Sequence, residues 1–236
     1  FFHPLILVIM IAFLASSCTP NTKRIEGFEI HGIDVSHHQG QIDWDTLFTQ
    51  KIAFVILKAT EGEDFKDSLF TSNWGAIKSS EVKKGAYHFF RPSISPEVQF
   101  HNFKETVILE PGDLPPVLDV EAKGVLSSSE LKQNIATWLE LAETHYKVKP
   151  IIYTYQKFYN EFLSDFEGYP LWIARYNSIP PELVDGAEWL IWQYGDRGRL
   201  PGISVFVDFN VFKGDSAELE KLLIKDDSLT SALISY

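Results

Sequence analysis

The chain has 236 residues, 45% of them hydrophobic and 14% aromatic, which is ample for a sizeable core and by default one domain. Its formal net charge of -11 argues against nucleic acid as a partner, because phosphate binding wants a basic face. The one cysteine, Cys18, excludes an intrachain disulfide.

In chain order, residues 4–15 (PLILVIMIAFLA) come first and are almost wholly apolar. A core of about a dozen residues is short for a membrane span and suits the apolar part of a signal peptide. Ser16, Ser17 and Cys18 follow, an ending similar to a bacterial lipobox, in which the cysteine is lipidated and becomes the new N-terminus. The expectation is a signal peptide over 1–17, lipidation at Cys18, a tether over 18–28, a domain over 29–224 and a tail over 225–236. The protein is then exported and held at a membrane, periplasmic or at the cell surface; an ordinary cleaved signal would release it instead.

Eight apolar runs read as strands: 30–36, 53–60, 84–90, 116–122, 149–155, 170–176, 188–194 and 204–210. Helical patterns separate the early ones. The clearest is predicted from about Ser127 to Tyr146, where Ser127 and Glu130 have capping-box spacing and Leu131, Ile135, Trp138, Leu139 and Ala142 share a face. Another helix is predicted to start near Ser95, with Pro96 in its first turn, and a last one after Gly214. The final three strands have short Pro/Gly-bearing connections. The pattern predicts an α/β fold: an irregular TIM-like (β/α) barrel, five β/α units followed by three strands with little helix.

The unusual residues are acids within greasy strands. In PPVLDVEA (115–122), Asp119 and Glu121 lie two apart and so share a face, roughly 7 Å from each other by strand spacing. Asp34 falls late in the first run and Asp208 late in the eighth. The ends of barrel strands form one rim, where active sites are built, so the four carboxylates are expected around one mouth. Crowded like charges disfavour ionisation of at least one member, which suits a general acid. Glycosidic cleavage needs such a proton, together with negative charge near the developing oxocarbenium ion. Glu121 has the longer reach and takes the proton role. A metal site built from these acids with His31, His37 and His38 is the competing reading, although no ligand spacing such as His-x-x-x-His is present. Aromatics at Tyr87, Tyr153, Trp172 and Trp192 could offer faces to sugar rings, or serve as core; Tyr176 and Tyr194 follow at strand ends.

The ordered set GIDVSHHQGQIDW, FVILKATEG, GAYHFFRP, PPVLDVE, PIIYTY, LWIARYN, IWQYG and VDFNVF resembles the Chalaropsis-type lysozymes, glycoside hydrolase family 25, over about residues 30–212. The resemblance implies hydrolysis of the β-1,4 bond between N-acetylmuramic acid and N-acetylglucosamine in peptidoglycan, with no cofactor and no metal. It implies Asp34, Asp119, Glu121 and Asp208 as the acidic cluster. It also implies Tyr87, Tyr153, Trp172, Lys58 and Gln193 as groove residues. The Asp-x-Glu arrangement is similar to that of chitinase-type enzymes, in which the substrate N-acetyl group attacks its own anomeric carbon. Two other functions use the same residues: a wall-binding module without catalysis, and a metal-dependent deacetylase of the same polymer.

Overall fold

The computed structural model describes residues 24–78 and 80–226. The expected signal peptide, Cys18, most of the tether and the tail from 227 lie outside the described residues. Among the described residues nine strands are present: β1 (Ile30–Val35), β2 (Phe54–Glu61), β3 (Phe65–Lys66), β4 (Lys83–Phe89), β5 (Val117–Asp119), β6 (Ile151–Tyr155), β7 (Leu171–Ala174), β8 (Ile191–Gly198) and β9 (Val207–Phe212). Eight of them close a barrel in the order β1-β2-β4-β5-β6-β7-β8-β9, and β9 returns to β1. The two-residue β3 is a hairpin appended to β2.

The helices sit between the early strands, except the last, which follows β9, as the pattern predicts. They are α1 (Trp44–Phe48), α2 (Phe70–Ile77), α3 (Pro96–Lys104), α4 (Ser128–Tyr146), α5 (Gln156–Phe158) and α6 (Ser216–Leu222). In α4 the Ser127 hydroxyl accepts from the Glu130 amide and the Glu130 carboxylate accepts from the Ser127 amide, so two orphan donors are satisfied. Its five expected apolar residues are all buried. In α3, Pro96 occupies the first turn, where a missing N–H costs nothing. Asp215 and Glu218 form a second capping box on α6. No helix among the described residues is long and apolar enough to cross a membrane.

The barrel wall divides the core in two. Residues facing outward, such as Ile33, Val55, Leu57, Leu118, Ile152, Ile173 and Val211, pack under the helices with Trp138 and Phe103. Residues facing inward form a second cluster of Ile30, Phe54, Ile56, Val117, Ile151, Trp172, Ile191 and Phe212. Gly32 makes room for that filling: a Cβ there would lie 2.4 Å from the Phe54 ring. The inward stripe of each strand then turns polar toward one end. Ile30 gives way to Asp34, Val117 to Asp119, Ile151 to Tyr153 and Ile191 to Gln193. The barrel thus has an apolar floor and a polar mouth.

One expectation needs correction. Asp208 is not late in its strand; β9 starts at Val207, and Val205 and Phe206 are exposed. It still reaches the common rim because β9 runs antiparallel to both β1 and β8, so its beginning lies where the parallel strands end. The register pairs Asp208 with Asp34 directly.

Candidate active site

The mouth is built from inward positions of consecutive strands. β5 stops at Asp119, so Glu121 lies beyond the strand, and the spacing of roughly 7 Å drawn from strand geometry does not fix the pair. Side chains and backbone of β6 hold this extension instead. The Val120 amide donates to the Tyr153 carbonyl at 2.9 Å, and the Thr154 hydroxyl to the Val120 carbonyl at 2.6 Å. The Tyr155 hydroxyl donates to the Glu121 carbonyl at 3.1 Å. Glu121, Tyr153, Tyr155, Ala174 and Tyr176 line a cavity of about 240 Å³.

Asp34 and Asp208 form the opposite wall. Asp34 Oδ2 accepts from Asn210 Nδ2 at 2.7 Å and from Gln193 Nε2 at 2.9 Å, and the two carboxyls are hydrogen-bonded to each other. Burial raises Asp34, opposed by the bonds from Asn210, Gln193 and Asp208. Burial and the Asp34 charge push Asp208 up to about 9. Burial thus disfavours full ionisation of the pair. Asp119 is raised well above the carboxylate range by burial first and by Glu121 second. Glu121 is raised by burial and then by Asp34, with Lys58 opposing. Desolvation, more than the crowding of charges, is thus what favours the acid forms here.

A stability prediction follows from Asp208. A carboxyl that ionises only near 9 when folded, but in the ordinary range when unfolded, makes folding progressively less favourable as pH rises between those values. Asp208→Asn removes the ionisation and keeps a donor for Asp34. It should raise the unfolding temperature at pH 7 and leave it nearly unchanged near pH 4, the gain growing with pH. A variant less stable than wild type at pH 7 would contradict the assignment.

The chain matches the family model of Glycosyl hydrolases family 25 over residues 33–203, a segment that holds Asp34, Asp119 and Glu121. The chain belongs to glycosyl hydrolases family 25. It is 43% identical over 199 residues to the Uncharacterized protein YegX of Escherichia coli strain K12, covering 82% of this chain and 73% of that one. It is 32% identical over 205 residues to Lysozyme M1 of Streptomyces globisporus, covering 80% of this chain and 70% of that one. Its fold is similar to that of a family 25 glycosyl hydrolase from Bacillus anthracis, with a TM-score of 0.80, 33% identity and coverage of 85% and 96% of the two chains.

This family 25 hydrolase brings all four expected acids to one mouth, but the other expected residues have differing surroundings. Tyr153 lines the cavity, its hydroxyl donating to Gln193 Oε1 at 2.8 Å. Tyr87 is an inward residue of β4 whose hydroxyl stays protonated, because burial and the surrounding carboxylates raise it well above its usual range. Lys58 is bound to Glu61 at 2.6 Å and lies over the rings of Phe65 and Phe89. Two residues do not stand at the groove surface. Trp172 is 1% exposed and belongs to the inward packing, its indole N–H donating to Asn210 Oδ1 at 2.8 Å. Gln193 is 2% exposed and both ends of its amide are engaged within the protein.

The histidines of the metal reading separate. His31 Nε2 pairs with the Phe28 carbonyl at 3.1 Å near the start of β1. His37 and His38 lie past its end, and His37 Nδ1 bonds Asp67 at 2.7 Å. Among the described residues no group of three or more His, Cys, Asp or Glu side chains could hold a metal ion.

Sequence reasoning missed Tyr155 and the role of Asn210. Both had a signal, since Tyr155 is two residues after Tyr153 and Asn210 two after Asp208, on the same inward stripe. Asp67 and the Glu61–Arg91 pair carried none, because His37 and Arg91 reach these acids only through the fold.

Proposed function

We propose that this hydrolase is a muramidase, cleaving the β-1,4 bond between N-acetylmuramic acid and N-acetylglucosamine in peptidoglycan. Glu121 is the general acid and Asp119 the group that stabilises the intermediate. One observation carries the reading: Asp119 Oδ1 is buried with no hydrogen-bond partner among the described residues. Such an atom costs free energy unless something supplies a donor. It stands beside a carboxyl whose environment favours its protonated form. A sugar acetamido N–H is a donor of the right kind. The relatives named lysozyme point to the same polymer.

The reaction then runs in two steps. Glu121 gives its proton to the leaving glycosidic oxygen as the bond from C1 breaks. The acetamido oxygen of the same sugar attacks C1, and Asp119 accepts the acetamido N–H and offsets the positive charge of the oxazolinium. Water next adds to C1, loses a proton to the Glu121 carboxylate and reopens the ring, which restores the acetamide. Asp34 and Asp208 close the site on the far side, and burial first and the Asp34 charge second favour the acid form of Glu121. The substrate lies outside the cytoplasm, so the reading includes export, for which the apolar run at 4–15 is suited.

Mass spectrometry of fragments released from purified peptidoglycan tests this. The expected products carry N-acetylmuramic acid at the new reducing end with every acetyl group retained. A reducing N-acetylglucosamine, acetate release without chain cleavage, or no release would reject it.

A further inference from the structure

We propose that a hollow beside the catalytic mouth binds the peptide stem of the glycan, with Arg175 as its carboxylate receptor. The inference rests on the muramidase reading, because that reading puts muramic acid, the sugar whose O3 carries the stem, at Glu121.

The hollow has about 560 Å³ and lies between the segment after β6 and the end of β7. It shares Tyr155 and Ala174 with the cavity at Glu121, so the two spaces have a common wall. Tyr155 is 40% exposed, and its hydroxyl is tied to the Glu121 carbonyl at 3.1 Å. A branch on the sugar held at Glu121 can therefore cross this ring into the hollow.

The chemistry of the hollow selects an anionic peptide. Arg175 Nη1 donates to the Pro180 carbonyl at 2.7 Å, which pins the guanidinium, and no carboxylate pairs with it among the described residues. A guanidinium has five N–H donors, so the others are left for a ligand carboxylate. Lys157 lines the same hollow, exposed and likewise without a counter-charge among the described residues. Glu161 is there too, but it pairs with neither cation, and the positive groups outnumber it. By contrast, Lys58 and Arg91, on the β2 and β4 side, are both spent on Glu61. Two amides complete the wall. Gln156 Nε2 donates to the Glu182 carbonyl at 2.6 Å, which leaves its Oε1 to accept. Asn160 Oδ1 accepts from the Val184 amide at 3.1 Å, which leaves its NH₂ to donate. A peptide backbone offers partners for both. A neutral sugar could meet the amides as well, but it has no charge for Arg175. Asn160 and Glu161 belong to a π-helical turn, Tyr159–Leu163, a conformation that recurs at functional sites.

The test is calorimetric binding of two disaccharides to wild type. Both are N-acetylglucosaminyl-N-acetylmuramic acid, one with a stem tetrapeptide and one with its lactyl carboxyl capped as a simple amide. Neither contains the bond a muramidase cuts. The stem should tighten binding about tenfold, the size of one charge-assisted contact. Arg175→Gln, which keeps a donor for Pro180, should abolish most of that gain. Lys157→Gln, at an exposed position, should weaken stem binding about threefold. Both variants should bind the capped disaccharide as wild type does. Equal affinity of wild type for the two disaccharides overturns the proposal, whether or not Arg175→Gln folds. So does a loss in either variant that is the same for both ligands, because the hollow would then hold sugar. A wild type that prefers the stem-bearing disaccharide but releases no reducing N-acetylmuramic acid from peptidoglycan would instead overturn the muramidase reading and leave the stem site standing.

Discussion

Glu121→Gln should lower turnover on peptidoglycan by about 10²- to 10⁴-fold while the fold stays intact. Glutamine keeps the shape and the reach of the side chain but has no proton of suitable acidity, so the loss isolates proton donation. The range equals about 2.7–5.5 kcal/mol of transition-state stabilisation. Stability should not fall, because the change removes a carboxyl that burial already disfavours in its charged form. Wild type itself should lose kcat on the alkaline side as Glu121 ionises, at a pH above the ordinary carboxylate range. The measurement is initial-rate release of reducing ends across pH, with thermal unfolding as the control. A variant that keeps more than about a tenth of wild-type turnover would reject Glu121 as the acid.

Asp119→Asn should cost about 10²- to 10³-fold in kcat, the size expected when a group aimed at developing charge is removed. Burial and then Glu121 raise Asp119, so its charge is disfavoured in the free enzyme. An arriving acetamido N–H supplies the hydrogen bond its unpartnered Oδ1 lacks, which favours the carboxylate as positive charge grows on the oxazolinium. Asparagine fills the same space but cannot carry that charge. The substrate supplies the control. On glycan whose muramic acid has a free amine in place of the acetamide, no oxazolinium can form, and wild type and variant should be equally slow. If Asp119→Asn keeps wild-type kcat on acetylated glycan, the role assigned to Asp119 is wrong.

Much of the barrel could be read from the residues because its rules are local. Period-two apolar runs marked the strands, and Ser127 with Glu130 marked the start of the longest helix. Acids inside such runs marked the mouth, since a buried carboxylate is expensive without a purpose. Less legible was anything that depends on chain direction in space. The final strand reads the same whether it is parallel or antiparallel, so the sequence placed Asp208 at the wrong end of its strand yet on the correct rim. Gln193 and Trp172 were legible as inward residues but not as internal hydrogen-bonding ones, because that role depends on Asn210 and Asp34, which are distant in the chain. Tyr155 was overlooked although its spacing from Tyr153 places it on the same stripe.

The apolar floor made by Phe54, Ile56, Val117, Ile151, Trp172 and Phe212 closes the barrel beneath the site. A glycan strand cannot be threaded through such a dead end, so it must be draped over the opening and gripped from the side. Free chain ends are then unnecessary for attack. Fragment lengths early in digestion should accordingly be broadly scattered, with long pieces persisting until late.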